Sequence, residues 1–291
     1  MSSNDKEIVR QAVTRMLETD YLLGARYVPH VPIGQSMPPT VKNVSASPTS
    51  EATNPMVSNR TSDRASDRTS DSASNESKVL RLDLPAKEYK ARQKAMAELG
   101  ERVAACQQCH LFETRTKVVP GQGDVRTRLV FVGEAPGFDE DQQGLAFVGR
   151  AGQLLTQMIA AMGLSREWVY ICNILKCRPP DNRTPVPSEI NQCWPFLDEQ
   201  LRIIQPDIIV ALGKPASQTL LRTDEGIGKL RGVWHEYYAS GMPGVGEPTA
   251  LMPTYHPAYL LRSPGEKAKA WSDLKQVMAR LNLERPAAKG K

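Results

Sequence analysis

LVFVGEAPGFDEDQQGLAFVGRAGQLL, residues 129–155, is the stretch that decides the fold. Its first five residues are apolar, β-branched and aromatic and end in glycine, which predicts a strand buried on both faces. Glu134-Ala135-Pro136-Gly137 then reads as a tight turn carrying a carboxylate, followed by an acidic run and Phe147-Val148-Gly149. A helix is predicted from about Ala151, with Leu154, Leu155, Met158 and Ile159 on one face. Strand, polar loop and helix make the first half of a βαβ unit. Open α/β sheets bind ligands beyond the carboxyl ends of their strands, so Glu134 stands where chemistry is usually done. On this stretch alone, a solvated loop carboxylate fits equally well.

Working outward, further strands are predicted over residues 168–175 (WVYICNIL), over 207–213 (DIIVALG) and from Thr249 into Tyr255-His256-Pro257. Helical patterns cover residues 87–105 and 266–283, and Pro215 suits the first turn of another helix. Strands alternating with helices predict a three-layer α/β fold: a central, mostly parallel four-stranded sheet with helices on both faces. Glu134, Asn173 and His256 all fall at or just past the carboxyl end of a predicted strand. Three chemically capable side chains in one topological position favour a shared site over three structural residues.

The rest of the chain divides by composition. Residues 5–20 read as a short amphipathic helix with Val9, Val13, Met16 and Leu17 on one face, which Asn4 or Asp5 can cap. So short a helix is marginal alone, so residues 5–25 either dock on the domain or bind a protein partner. We assign residues 1–35 to this segment and 36–85 to a linker. The linker is rich in Ser, Thr, Asn and Asp, with the near-repeat TSDRASDRTSDSASN at 61–75, and lacks the apolar groups needed to offset ordering entropy. Residues 86–285 are the folded domain, and 286–291 a basic tail.

Net charge is +5, and residues 262–291 carry eight Lys or Arg against three Asp or Glu. A basic end suits a polyanion such as nucleic acid, or a solvated terminal helix. The chain contains no apolar run of the ~18 residues a membrane helix needs, and MSSNDKEIVR lacks a signal-peptide core. A cytoplasmic protein without membrane contact is expected, acting as a monomer.

Five cysteines in such a chain point to metal or redox use rather than disulfides. Cys106 and Cys109 form C-x2-C, and fifteen residues separate Cys177 from Cys193. Four thiolates select zinc or an iron–sulfur cluster. A zinc ribbon keeps its two pairs within ~20 residues, whereas a whole βα unit separates Cys109 from Cys177. The metal would therefore pin two distant segments. Cys172 lies inside a predicted strand and reads as core.

GEAPG at 133–137, GLAFVGRAG at 144–152, the four cysteines, NILKCRPPDNR at 173–183 and HPAYLLR at 256–262 together resemble the iron–sulfur uracil-DNA glycosylases, family 4 of that superfamily. The resemblance covers about residues 105–281. One departure is Leu145-Ala146, where the family commonly has proline before the phenylalanine. An apolar residue in place of Glu134 would have resembled family 5 instead. The covalent uracil-trapping relatives carry a basic insertion that the segment between Cys177 and Cys193 lacks.

The resemblance implies hydrolysis of the bond between uracil and deoxyribose after the base leaves the stack. It implies a [4Fe-4S] cluster on Cys106, Cys109, Cys177 and Cys193, in preference to zinc. It assigns Ala135, Glu140, Phe147 and Asn173 to the base. Phe147 would stack on it, Asn173 would read N3–H and O4, and Glu140 would crowd the C5 edge against thymine's methyl group. His256 would donate to O2, and Glu134 would hold the attacking water or stabilise charge on the sugar. Tyr259 and Leu260 would wedge into DNA and Arg262 would hold a phosphate. Alternatively, Leu260 and Leu261 begin the core face of the last helix. A non-catalytic DNA-binding scaffold and an electron-transfer protein are the competing classes.

Overall fold

A computed structural model describes residues 80–242 and 244–283. The predicted helix at 5–20, the linker up to residue 79 and the basic tail lie outside the described residues. The domain begins earlier than the predicted residue 86, with Leu80 buried in the core and Leu82 N–H donating to Arg126 O at 2.7 Å. In chain order the elements are α1 (Ala86–Ala104), α2 (Leu111–Thr114), β1 (Gln122–Gly123), β2 (Leu129–Gly133), α3 (Phe138–Gln143) and α4 (Arg150–Ala161). Next come β3 (Tyr170–Asn173), α5 (Pro187–Ile204), β4 (Ile208–Leu212), α6 (Lys214–Leu221) and α7 (Ile227–Leu230). The last are β5 (His235–Tyr237), β6 (Thr249–Thr254), α8 (Pro257–Arg262) and α9 (Lys267–Arg280).

The sheet runs β1-β3-β2-β4-β6-β5. Its four central strands are parallel, as expected. The edge strands β1 and β5 pair antiparallel, so the sheet has six strands rather than the four predicted. Two and three residues long, they are too short for an alternating pattern to show. The acidic run is also a helix, α3, where a loop was expected.

Period two along β2 explains the layering. Leu129 and Phe131 face one side, where Leu155 and Ile159 of α4, Met162 at its C-terminal cap, and Leu274, Val277 and Met278 of α9 cover them. Val130 and Val132 face the other, under Leu99 and Val103 of α1, Leu197 and Leu201 of α5 and Ala216 of α6. All five residues of β2 are buried, as a strand between two helical layers requires. From β2 the chain crosses to β3 on one side, and from β4 it crosses to β6 on the other. The carboxyl edge between β2 and β4 is thus the switch point at which such sheets open a crevice. Among the described residues no helix is long and apolar enough to cross a membrane.

Candidate active site and thiol cavity

The strand ladders run on past their ends and tie the loops beyond them together. Ile174 N–H donates to Gly133 O at 3.0 Å and Leu175 N–H to Glu134 O at 3.1 Å, zipping the loops after β2 and β3. Gly213 N–H donates to Thr254 O at 2.8 Å, joining the ends of β4 and β6. Glu134, Asn173 and His256 therefore share one edge, as expected from sequence.

Phe147 joins them. Its φ of +54° lies in the left-handed region, which costs a non-glycine residue ~1–2 kcal/mol. Neighbouring bonds hold it there. Glu140 Oε1 accepts from Val148 N–H and Gly149 N–H, both at 2.8 Å, and Oε2 accepts from Gly137 N–H at 3.1 Å. Arg166 Nη2 donates to Ala146 O at 2.7 Å. Glu140, expected at the edge of a base, thus has both oxygens engaged by backbone, Oε1 clasping the Phe147 loop and Oε2 holding Gly137 at the start of its own helix.

Glycines let the walls close. A Cβ on Gly133 would lie 2.4 Å from Asn173 Oδ1 and 2.5 Å from Phe147 Cζ. One on Gly152 would lie 1.9 Å from Phe147 O, and one on Gly213 2.8 Å from His256 Cβ. The Phe147 and His256 ring centroids are 5.7 Å apart, tilted by 35°.

The polar groups are poised differently from one another. Asn173 is 1% exposed, and its Oδ1 has no hydrogen-bond partner among the described residues. An orphaned buried acceptor costs ~1–3 kcal/mol, which a ligand N–H would recover. Ala258 N–H donates to His256 Nδ1 at 3.1 Å, so that nitrogen carries no proton. Burial, with the charge of Arg262 adding to it, pushes the His256 pKa down to about 4. The ring is neutral at pH 7 with its proton on Nε2. Glu134 is half-buried, and burial alone raises its pKa.

The expected wedge needs correction. Leu260 is 1% exposed and packs with Leu154 and Ala270, so it belongs to the core and cannot enter DNA. Leu261, its neighbour, is 36% exposed. Tyr259 packs on Tyr255 with centroids 4.9 Å apart, and Arg262 is exposed.

On the other side of β3, Cys106, Cys109, Cys177 and Cys193 line one cavity of about 350 Å3, its open mouth included. Burial pushes the Cys193 thiol up to about 12 and raises Cys109 and Cys177 as well. Arg115 Nη1 donates to Cys177 Sγ at 3.2 Å and Lys176 N–H to Cys193 Sγ at 3.3 Å, contacts that favour thiolates. Buried Glu189 accepts from Arg183 at 2.6 and 2.9 Å and pairs with His110 at 3.0 Å, tying the segment after Cys109 to the start of α5. Among the described residues no group of three or more His, Cys, Asp or Glu is set to hold a single metal ion. Cys172 is buried in β3, as expected.

Sequence reasoning missed Lys176, which is 1% exposed. Its Nζ donates to Asn173 O at 2.7 Å and to Gln200 Oε1 at 2.6 Å, while Gln200 Nε2 donates to Pro120 O at 2.6 Å. A charged residue inside an apolar run was the one available signal.

A sequence model of the uracil DNA glycosylase superfamily matches residues 120–275. The type-4 uracil-DNA glycosylase of Thermotoga maritima is 46% identical over 173 residues, 59% of this chain and 86% of the relative. That of Archaeoglobus fulgidus is 40% identical over 187 residues, 63% of this chain and 92% of the relative. A type-5 uracil-DNA glycosylase of Pyrobaculum aerophilum is 34% identical over 119 residues, 36% of this chain and 52% of the relative.

Proposed function

The chain belongs to the uracil-DNA glycosylase superfamily, in its type-4 branch, and from that premise we propose how its own residues excise uracil from DNA. The flipped base lies against Phe147. Asn173 Oδ1 accepts from N3–H and Nδ2 donates to O4, while cytosine would present the reverse pattern. His256 Nε2–H donates to O2 as the bond between N1 and C1′ breaks and its electron pair leaves on the base. Water adds to C1′ and gives up a proton, which the departing uracil anion takes up through solvent, with the Glu134 carboxylate orienting the water or offsetting charge on the sugar. Ala135 borders the base beside Glu134, and Glu140 acts by holding Phe147 in place. The products are free uracil and an abasic site.

The observation that carries this reading is the unpartnered Asn173 Oδ1, buried at Gly133 together with the ring of Phe147. Release of uracil from a defined oligonucleotide by the purified protein tests it. A protein that binds such DNA yet releases no base in a single-turnover experiment would be a scaffold instead.

Four thiols around one cavity, two of them receiving N–H donors, suit a [4Fe-4S] cluster. A lone zinc would need its sulfurs within ~4 Å of one another, given bonds of ~2.3 Å. Cys106, Cys109, Cys177 and Cys193 would hold the cluster, which would pin α1 and α5 to the loop after β3. No step of base excision is assigned to it. With DNA as substrate, the expected setting is the cytoplasm. Residues 5–25 remain the candidate contact for a protein partner, separate from excision.

A further inference from the structure

Phe138 is 56% exposed, more than any other large apolar side chain among the described residues. Single exposed apolar residues are common and need no explanation by themselves. This one has a guanidinium over its ring, with Arg178 Cζ 5.2 Å from the centroid. Arg178 is itself held, since its Nε donates to Asn182 Oδ1 at 2.7 Å. Asp181 and Asn182, at φ +55° and +53°, form the bend that brings that oxygen back to it.

The location gives the pair a use. Phe138 lies four residues past Glu134, and Arg178 five past Asn173. The two loops are zipped at Gly133–Ile174 and Glu134–Leu175, then separate, and Phe138 and Arg178 bring them together again further out. At no more than ~3.5 Å per residue, Phe138 stands within about 14 Å of Glu134. A nucleotide next to a base held at Glu134 comes within that reach. An exposed aromatic with a cation beside it is the combination that holds single-stranded nucleic acid, the ring stacking a base and the cation meeting the backbone.

We propose that Phe138 and Arg178 form a stacking platform for a nucleobase next to the uracil being excised. The proposal rests on the reading of Glu134, Phe147, Asn173 and His256 as the uracil pocket. The platform favours substrates whose neighbouring base is free to unstack, which means single-stranded or frayed DNA.

The test measures affinity for a single-stranded oligonucleotide carrying a non-hydrolysable 2′-fluoro-deoxyuridine. The nucleotide on either side is kept or replaced by an abasic spacer. Base–aromatic stacking predicts that Phe138→Ala weakens binding about 5- to 150-fold. In wild type, a spacer on one side should cost a similar factor. In Phe138→Ala the same spacer should cost nothing further, and Phe138→Trp should restore the wild-type pattern. Unchanged affinity in Phe138→Ala overturns the platform. So does an equal loss with and without the neighbouring base, which would assign the ring to the fold or to a protein contact. Excision of ordinary uracil by wild type is scored separately. If it fails, the pocket reading falls; if it succeeds while the spacer and Phe138→Ala effects simply add, only the platform falls.

Discussion

Replacing Asn173 by aspartate changes one atom's chemistry in the pocket and tests the base-reading assignment. The side chain is 1% exposed and no donor reaches its Oδ1. A carboxylate there would be buried without a partner, so its pKa must rise. While neutral, the carboxyl has one donor and one acceptor, and either oxygen can carry the proton. It can therefore match the N3 and O4 of uracil or the N3 and N4 of cytosine. A site that hydrogen-bonds its substrate rejects a mismatched analogue by ~10⁴–10⁵, because buried groups are left unpaired. Asn173→Asp should reduce the preference for uracil over cytosine to within about tenfold at mildly acidic pH. As pH rises through the raised pKa the group ionises, an acceptor then faces the acceptor O4 of uracil, and uracil excision should fall. Single-turnover rates on matched oligonucleotides carrying uracil or cytosine, between pH 5 and 9, give both quantities. If Asn173→Asp keeps its full uracil preference at every pH, the base is read by another group and the pocket assignment is wrong.

His256→Ala should slow single-turnover excision by ~10²–10³, the usual loss for a donor aimed at transition-state charge, while DNA affinity measured by titration stays near wild type. Burial raises the Glu134 pKa above the ordinary 4.5, so the rate should fall on acidification at a higher pH than a free carboxylate would give. His256, pushed down to about 4, titrates below the Glu134 carboxyl, so Glu134→Gln should move the acid limb to lower pH while removing most of the rate. Cys172→Ala should leave the broad absorbance near ~400 nm of anaerobically purified protein intact, whereas Cys177→Ala should bleach it and lower the melting temperature. A chain starting at Val79, which keeps the buried Leu80 and the Arg81–Asp124 ion pair, should retain excision, and loss of most turnover with the colour intact would assign the N-terminal arm to the enzyme.

The sheet was legible because β2, β3 and β4 are near-continuous apolar runs, and chemistry placed at strand ends follows from topology. That is why Glu134, Asn173 and His256 converge as read. Residues 260 and 261 were not separable, since both are leucine and only the turn of α8 decides which one meets Leu154. The role of Glu140 was hidden because its partners are backbone N–H groups eight and nine residues away, a contact that side-chain identity does not encode. The same holds for Lys176, whose burial depends on a carbonyl three residues back and an amide on α5.

The contacts at Gly133, Gly152 and Gly213 bear on how this protein can drift in sequence. Each already has a neighbour nearer than any real Cβ tolerates, 2.4 Å at Gly133, 1.9 Å at Gly152 and 2.8 Å at Gly213. Even alanine, the smallest step available, would push Asn173, Phe147 or His256 out of position. No graded series of slightly narrower pockets is open to the lineage at these three positions. A change of substrate must instead come through exchange of a reading group such as Asn173, a single jump in hydrogen-bond pattern. Random mutagenesis selected for a new base should accordingly return substitutions at the readers and leave the three glycines untouched.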